Sequence, residues 1–147
     1  MRLKTVFDGE IEVPDSRIIT FVSPLVGFDH LARFVIYQRD HGPLFWLQSV
    51  DDCEIAFCVV APFAAGIDPE MSIDPDDAAA IRSPGEGDID VYTLVVLDRD
   101  LDKVRTNLRA PILVGRQSNL ATQVILDDPE LPICYPLKAV LTAAEQG

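Results

Sequence analysis

Pro43-Leu44-Phe45-Trp46-Leu47-Gln48-Ser49-Val50-Asp51-Asp52-Cys53-Glu54-Ile55-Ala56-Phe57-Cys58-Val59-Val60-Ala61-Pro62-Phe63 is the stretch whose reading decides the fold. Two runs rich in aromatic and β-branched residues flank one short acidic break. Such residues suit pleated, half-buried backbone. The pattern therefore predicts two adjacent strands, at about 44–50 and 55–61, joined by a tight connection over 51–54. Phe45 and Trp46 are consecutive in the first run, so their side chains point to opposite faces. Core filling is the default reading for both. The alternative is that one fills the core while the other lies under a second layer or is exposed, and an exposed aromatic would be a natural anchor for a protein partner.

Working outward, residues 3–13 read as a hairpin. Thr5-Val6-Phe7 and Glu10-Ile11-Glu12-Val13 alternate, and Asp8-Gly9 between them is a type I′ turn signal. Further strands are expected at 17–21 and 34–37. The segment 23–29 holds Pro24 and Gly27 and reads as loop. A short helical turn is expected at 29–33 and a turn at 39–43. Beyond Pro62 the texture changes. One short helix is predicted over 74–81, with Asp74 as N-cap, Pro75 at the first helical position and acids in the first turn.

A strand follows at 90–97, then a charged connection at 98–104. Pro111 marks an edge position or a kink between two short strands within 106–115. The last strand is expected at 122–126. Leu137, Val140, Leu141 and Ala144 recur at helical spacing and predict a short C-terminal helix. Strands dominate, without the βαβ alternation of a parallel sheet. The fold class is mainly β: a single antiparallel β-barrel-like domain over 1–137 with one or two short helices, then a tail over 138–147.

A chain of 147 residues fits one domain with a real core. No apolar run approaches the length that spans a bilayer. The segment Met1-Arg2-Leu3-Lys4-Thr5-Val6-Phe7 lacks an apolar h-region, so no signal peptide and a cytoplasmic location are expected. Three cysteines, Cys53, Cys58 and Cys134, argue against a disulfide framework. Cys58 reads as a small buried apolar residue. The net charge is −12, and residues 51–90 hold eleven acids against the single base Arg82, a net of −10 there. Such a surface repels phosphate backbones and attracts basic partners. Plain solubility is the blander reading of the same charge.

Catalytic chemistry finds no purchase. His30 and His41 have no Cys or His at ligand spacing, so no zinc site is expected. No serine sits in G-x-S-x-G. Gly85-Glu86-Gly87 carries acid and no Gly-Lys-Ser/Thr, so it is no phosphate loop. The run from Asp98 fails as a calcium loop, with Lys103 where glycine is needed and Arg109 where a bidentate Glu is needed. Asp127-Asp128-Pro129-Glu130 reads as a capped, exposed turn rather than a metal site. No catalytic residue, metal or cofactor is expected.

The opening stretch, from Phe45-Trp46-Leu47-Gln48-Ser49 to Pro62, resembles the FliW family of flagellar assembly factors. The likeness begins at Gly9-Glu10-Ile11 and includes Ile19-Thr20-Phe21, Gly27-Phe28 and Phe34-Val35. It resumes at Thr106-Asn107-Leu108-Arg109-Ala110-Pro111-Ile112. It ends with Gln123-Val124-Ile125-Leu126-Asp127-Asp128 and Tyr135-Pro136-Leu137. Ala61 departs from the Asn or Asp that family members often carry before the proline. Residues 64–90 match only in acidic character, and the tail beyond Leu137 lies outside the likeness.

The resemblance implies an antiparallel, barrel-like β fold and a non-enzymatic cytoplasmic factor with two protein partners. One is flagellin, bound before export. The other is CsrA, a basic dimeric RNA-binding regulator, antagonised by the free factor so that flagellin synthesis resumes. Neither direct nucleic-acid binding nor a membrane is implied. The acidic candidates for partner binding are Asp51, Asp52, Glu54, Asp68, Glu70, Asp74, Asp76, Asp77, Asp127 and Asp128. Phe63 and Tyr135, beside prolines at expected strand ends, are the candidates for apolar contact with flagellin. A metal-dependent enzyme built on the acidic loops and a generic acidic scaffold are the competing readings.

Overall fold

The computed structural model describes residues 1–39, 42–69 and 71–146, with backbone alone at 86 and 144–146. Eleven strands form: β1 (Arg2–Thr5), β2 (Gly9–Glu12), β3 (Ile18–Phe21), β4 (Arg33–Tyr37), β5 (Leu44–Ser49), β6 (Ala56–Val60), β7 (Ile89–Val96), β8 (Arg105–Thr106), β9 (Ile112–Gly115), β10 (Leu120–Gln123) and β11 (Tyr135–Pro136). Two helices accompany them, α1 (Pro75–Ala80) and α2 (Lys138–Gln146). Strands β7, β6, β5, β4, β3, β10 and β9 are neighbours in that order, and β9 pairs back onto the first half of β7. The pairing closes seven strands into a barrel. The mainly β, barrel-like architecture with two short helices is the one expected.

Alternation fills the barrel. Ile19 and Phe21, Phe34, Leu47, Val59, Ile112 and Val114, and Ala121 form one buried cluster, each pair two residues apart along its strand. Burying each large apolar side chain contributes roughly 1.5–3 kcal/mol. The intervening positions face outward and are covered in three places. The β1–β2 hairpin lays Leu3 and Val13 on Val35. Helix α2 and the strands β8 and β11 cover Val60 through Val104, Leu108, Leu137, Val140 and Leu141. Ile81, just after α1, packs on Ile89 and Leu113. The helix itself starts as the sequence predicts, with Asp74 Oδ1 accepting from the Asp76 N–H at 2.8 Å.

Antiparallel pairing has one exception. Strand β10 runs parallel to β3, with Leu120 opposite Thr20 and Ala121 opposite Phe21. A closed ring of seven cannot alternate direction all the way round, so one neighbouring pair must run parallel.

Three local expectations are corrected. The hairpin pairs Thr5 with Gly9, so Val6-Phe7-Asp8 is a three-residue loop rather than a two-residue Asp-Gly turn. Gly9 takes φ +63°, and the Thr5 hydroxyl accepts from the Asp8 N–H at 2.9 Å and donates to the Gly9 carbonyl at 2.8 Å. A glycine at positive φ after three loop residues is a common hairpin closure. The helical turn expected at 29–33 is cut to a single turn at Asp29-His30, closed by the Leu31 N–H on the Phe28 carbonyl at 3.0 Å, because the Asp51 carboxylate takes the Ala32 and Arg33 N–H groups that a longer turn would use. The strand expected at 122–126 lies at Leu120–Gln123 and is not the last. Asn119 at φ +57°, its amide donating to the Ser16 carbonyl at 2.7 Å, starts β10 early.

The consecutive aromatics divide the two faces. Phe45 packs with the barrel interior and meets Tyr92 edge-on, ring centroids 6.0 Å apart. Trp46 faces out and is covered by Phe7 of the hairpin tip at 4.3 Å, with the Arg39 guanidinium 4.9 Å from the Phe7 ring centre. Next to it, Gln48 is fully buried. Its Oε1 accepts from the Val6 N–H at 2.9 Å, and its Nε2 donates to the carbonyls of Ser49, Cys53 and Ile55 at 3.1, 3.1 and 3.2 Å.

Replacing Gln48 with leucine strands those buried groups. We expect Gln48→Leu to lose about 2–4 kcal/mol, read as a lower urea midpoint. Exposed Ile125→Ala should stay within about 0.5 kcal/mol of the parent.

Candidate functional site

The acidic break between β5 and β6 is a stiff structure. The Ser49 N–H donates to the Ile55 carbonyl at 3.0 Å, and the Asp52 N–H to the Ser49 hydroxyl at 2.9 Å. The Glu54 N–H donates to Asp52 Oδ1 at 3.1 Å. These local bonds, with the Gln48 amide beneath, hold the loop open to solvent at Asp51, Cys53 and Glu54.

Asp51 turns its carboxylate back onto the barrel. Its Oδ2 accepts from the backbone N–H groups of Ala32 and Arg33 at 3.0 and 2.9 Å. Its Oδ1 accepts from Arg33 Nε and Nη2 at 3.1 and 3.0 Å. Burial pushes this carboxyl up. The two backbone donors and the Arg33 guanidinium outweigh that and hold it below the ordinary range. Asp51 therefore anchors the loop and offers a partner little uncompensated charge.

The other candidates fall into two groups. Asp74, Asp76 and Asp77 crowd the start of α1. Burial and the neighbouring Asp74 and Asp76 carboxylates raise Asp77 above the ordinary value. Asp68, Asp128 and Tyr135 converge on a pocket of about 300 Å³, which Glu130 and Leu131 also line. Asp128 caps its own turn there, Oδ1 accepting from the Glu130 N–H at 3.0 Å. Asp127 is exposed beside it. Neither the loop 51–54 nor α1 lines that pocket. Glu70 and His41 lie outside the described residues.

Phe63 stands half exposed, at 48%, on a second cavity of about 520 Å³. Met71, Ile73, Val91 and Tyr92 form its apolar wall, and Asp90 and Arg116, paired at 2.8 Å, its polar one. Across Ala61 and Ala64 lies a third cavity of about 490 Å³, bounded by Pro43, Phe45, Val140 and Ala143. The alanine-rich stretch after Pro62 shows neither strand nor helix patterning in the sequence. The only signal it carried was small apolar residues where a polar connection is usual. Among the described residues, no three of His, Cys, Asp and Glu are placed to hold a metal ion. No helix of the described residues is long and apolar enough to cross a membrane.

The chain and its fold are similar to known proteins. The family model described as "FliW protein" matches residues 2–137. A "Flagellar assembly factor FliW" from Caldicellulosiruptor bescii is 35% identical over 138 residues, covering 94% of this chain and 91% of that one. One of the same description from Ruminiclostridium cellulolyticum is 36% identical over 135 residues, covering 90% and 91%. A solved structure, "Crystal structure of the flagellar assembly factor FliW", superposes with a TM-score of 0.85 at 27% identity, covering 93% of this chain and 96% of its own.

Two outcomes test the local chemistry. Asp51 binds its proton more weakly when folded than when unfolded. Its contribution to stability is complete above the unfolded value of about 3.9 and is lost as pH falls through the lower folded value. The melting-temperature gap between parent and Asp51→Asn should thus be constant above about pH 5 and close in stronger acid. Burial pushes the Cys58 thiol up to about 12, whereas Cys53 and Cys134 are exposed. Native alkylation at neutral pH, read by peptide mass spectrometry, should label Cys53 and Cys134 and spare Cys58.

Proposed function

Because this chain belongs to the FliW family, we propose that it is a cytoplasmic regulator that works by binding two proteins in turn, flagellin and CsrA. While flagellin is plentiful, the chain is occupied by it. When flagellin leaves for export, the freed chain binds the basic CsrA dimer and loosens its hold on the flagellin message. No catalytic step is assigned to it.

The observation that carries this reading is the placement of its negative charge. Residues 51–90 hold −10 of the net −12. Glu54, Asp68, Asp74, Asp76 and Asp127 are exposed, and Asp52 and Asp128 partly so, on loops and a short helix fixed to a rigid barrel. Charges within about 10 Å of an RNA-binding surface are felt there at ordinary salt. An acidic body docked beside that surface raises the local negative potential and weakens phosphate binding without covering the RNA footprint. Asp51, paired with Arg33, adds least to this field. Flagellin binding depends on apolar surface instead, since the unpolymerised ends of flagellin are amphipathic helical segments.

The test is release of RNA from CsrA by the parent chain and by a variant carrying Asp52→Asn, Glu54→Gln, Asp68→Asn and Asp128→Asn. The variant should be roughly tenfold less effective at about 0.1 M salt, and the difference should shrink towards 1 M. Equal release by both chains across that range rejects the electrostatic mechanism.

A further inference from the structure

One end of the barrel is not filled to its rim. There a layer of core side chains, Ile19, Ile36, Phe45, Tyr92 and Val114, forms the floor of a cavity of about 350 Å³. Phe45 and Tyr92 meet edge-on in that floor, ring centroids 6.0 Å apart. Mouths of β-barrels are common places for small ligands, and this volume lies in the range that receives them. The rim is polar. Arg17 closes a 3₁₀ turn, Asp15–Arg17, directly before β3, and Arg116 and Asn119 belong to the connection between β9 and β10. The Asn119 amide, donating to the Ser16 carbonyl at 2.7 Å, ties these two segments together. The polar groups of the mouth are thus set on a fixed frame.

The groups that line the cavity select its occupant. Two arginines and one aspartate do so, which leaves one positive charge. Arg116 is already engaged: its Nε donates to Asp90 Oδ1 at 2.8 Å and its Nη1 to the Gly87 carbonyl at 3.1 Å. Arg17 makes no ion pair among the described residues. Both guanidiniums act on the Tyr92 hydroxyl. Burial, then the Asp90 carboxylate, raise it above its ordinary value, and Arg116 and Arg17 oppose them. Tyr92 is therefore a protonated donor at neutral pH. An uncompensated cation and a phenol thus face one hollow with an apolar floor. A cationic guest is repelled by Arg17, and a neutral one leaves it unpaired. The rest of the chain limits the charge from the other side. Against a net charge of −12, each further negative charge on a guest is disfavoured, so a polyanion fits poorly.

We propose that the barrel mouth binds an organic monocarboxylate with a compact apolar body, its carboxylate on Arg17 and the Tyr92 hydroxyl and its body on Ile36, Phe45 and Val114. A guanidinium fork matches a carboxylate in two parallel hydrogen bonds, which gives orientation as well as attraction. None of the residues that line the pocket at Asp68 and Asp128 takes part. The site needs no protein partner and does not depend on the regulatory role given above.

The probes are phenylacetate and hexanoate. Their neutral amides, phenethylamine and acetate are the controls. Titrations are followed through the methyl resonances of Ile19, Ile36 and Val114 in the parent chain, Arg17→Gln and Tyr92→Phe. At least one of the two carboxylates should shift those methyls to saturation with a Kd below about 10 mM. It should bind roughly tenfold tighter than its amide, than the amine and than acetate. Arg17→Gln, at an exposed position with no ion pair to lose, should weaken binding at least about tenfold with an unchanged melting temperature. Tyr92→Phe removes only a hydroxyl and should weaken it about fivefold; it is read in place of Arg17→Gln if that variant melts early. Four results each overturn the proposal: no saturable shift from either carboxylate, equal binding of the amide, equal binding of acetate, which leaves an adventitious ion only, or unchanged affinity in the variants. The regulatory reading is tested separately by RNA release and stands or falls by that assay.

Discussion

A carboxamide sealed from water must find partners for its donors and its acceptor, and Gln48 finds them in three different segments. It takes the backbone N–H of the hairpin tip at Val6 and gives its own hydrogens to carbonyls on both sides of the β5–β6 loop. The neighbouring residues share the task. Leu47 fills the barrel, Trp46 lies under Phe7, and the Ser49 hydroxyl accepts from Asp52 to turn the loop. One strand thus fixes the interior, the N-terminal cover and the acidic loop together. Because the amide is buried, none of these can shift without leaving a polar group unpaired.

How much of this is legible in the sequence follows from what each signal encodes. Alternation and β-rich runs encode strands, so those from β3 to β7 could be read directly, whereas which of their faces turns into the barrel was not assigned. Capping chemistry encodes a helix start, and Asp74-Pro75 placed α1. Neither encodes which distant edges meet. The closure of β9 on β7, the parallel pairing of β10 with β3 and the short β11 are tertiary choices with no local mark. The hairpin tip was misread because Asp-Gly is a two-residue turn signal, while the Thr5 hydroxyl favours the longer loop. At the candidate site, charge could be counted but not assigned. Asp51 spends its carboxylate on Arg33. Asp68 meets Asp128 and Tyr135 only because the barrel brings two remote loops together.

The described surface combines two features suited to recognition. Carboxylates on loops set long-range attraction, which steers encounters and weakens with salt. Apolar hollows beside them set short-range fit, which governs how long a partner stays. A protein that holds one partner and later another, as proposed above, has use for both. Their separation on the barrel, with Asp128 at one pocket and Phe63 at another, leaves each free to vary without disturbing the other.

The parallel seam also dictates an order of events during synthesis. Thr20 meets Leu120, one hundred positions further along the chain. Strands β3 to β6 can zip up as successive hairpins while the ribosome is still at work. The free edge of β3 has no partner until the last third of the polypeptide has emerged. Through that interval the nascent sheet is an open ribbon, exposed to pairing with the wrong chain. Ring closure joins the strands farthest apart in the sequence, and a chain truncated before β10 has no strand to close that edge of β3.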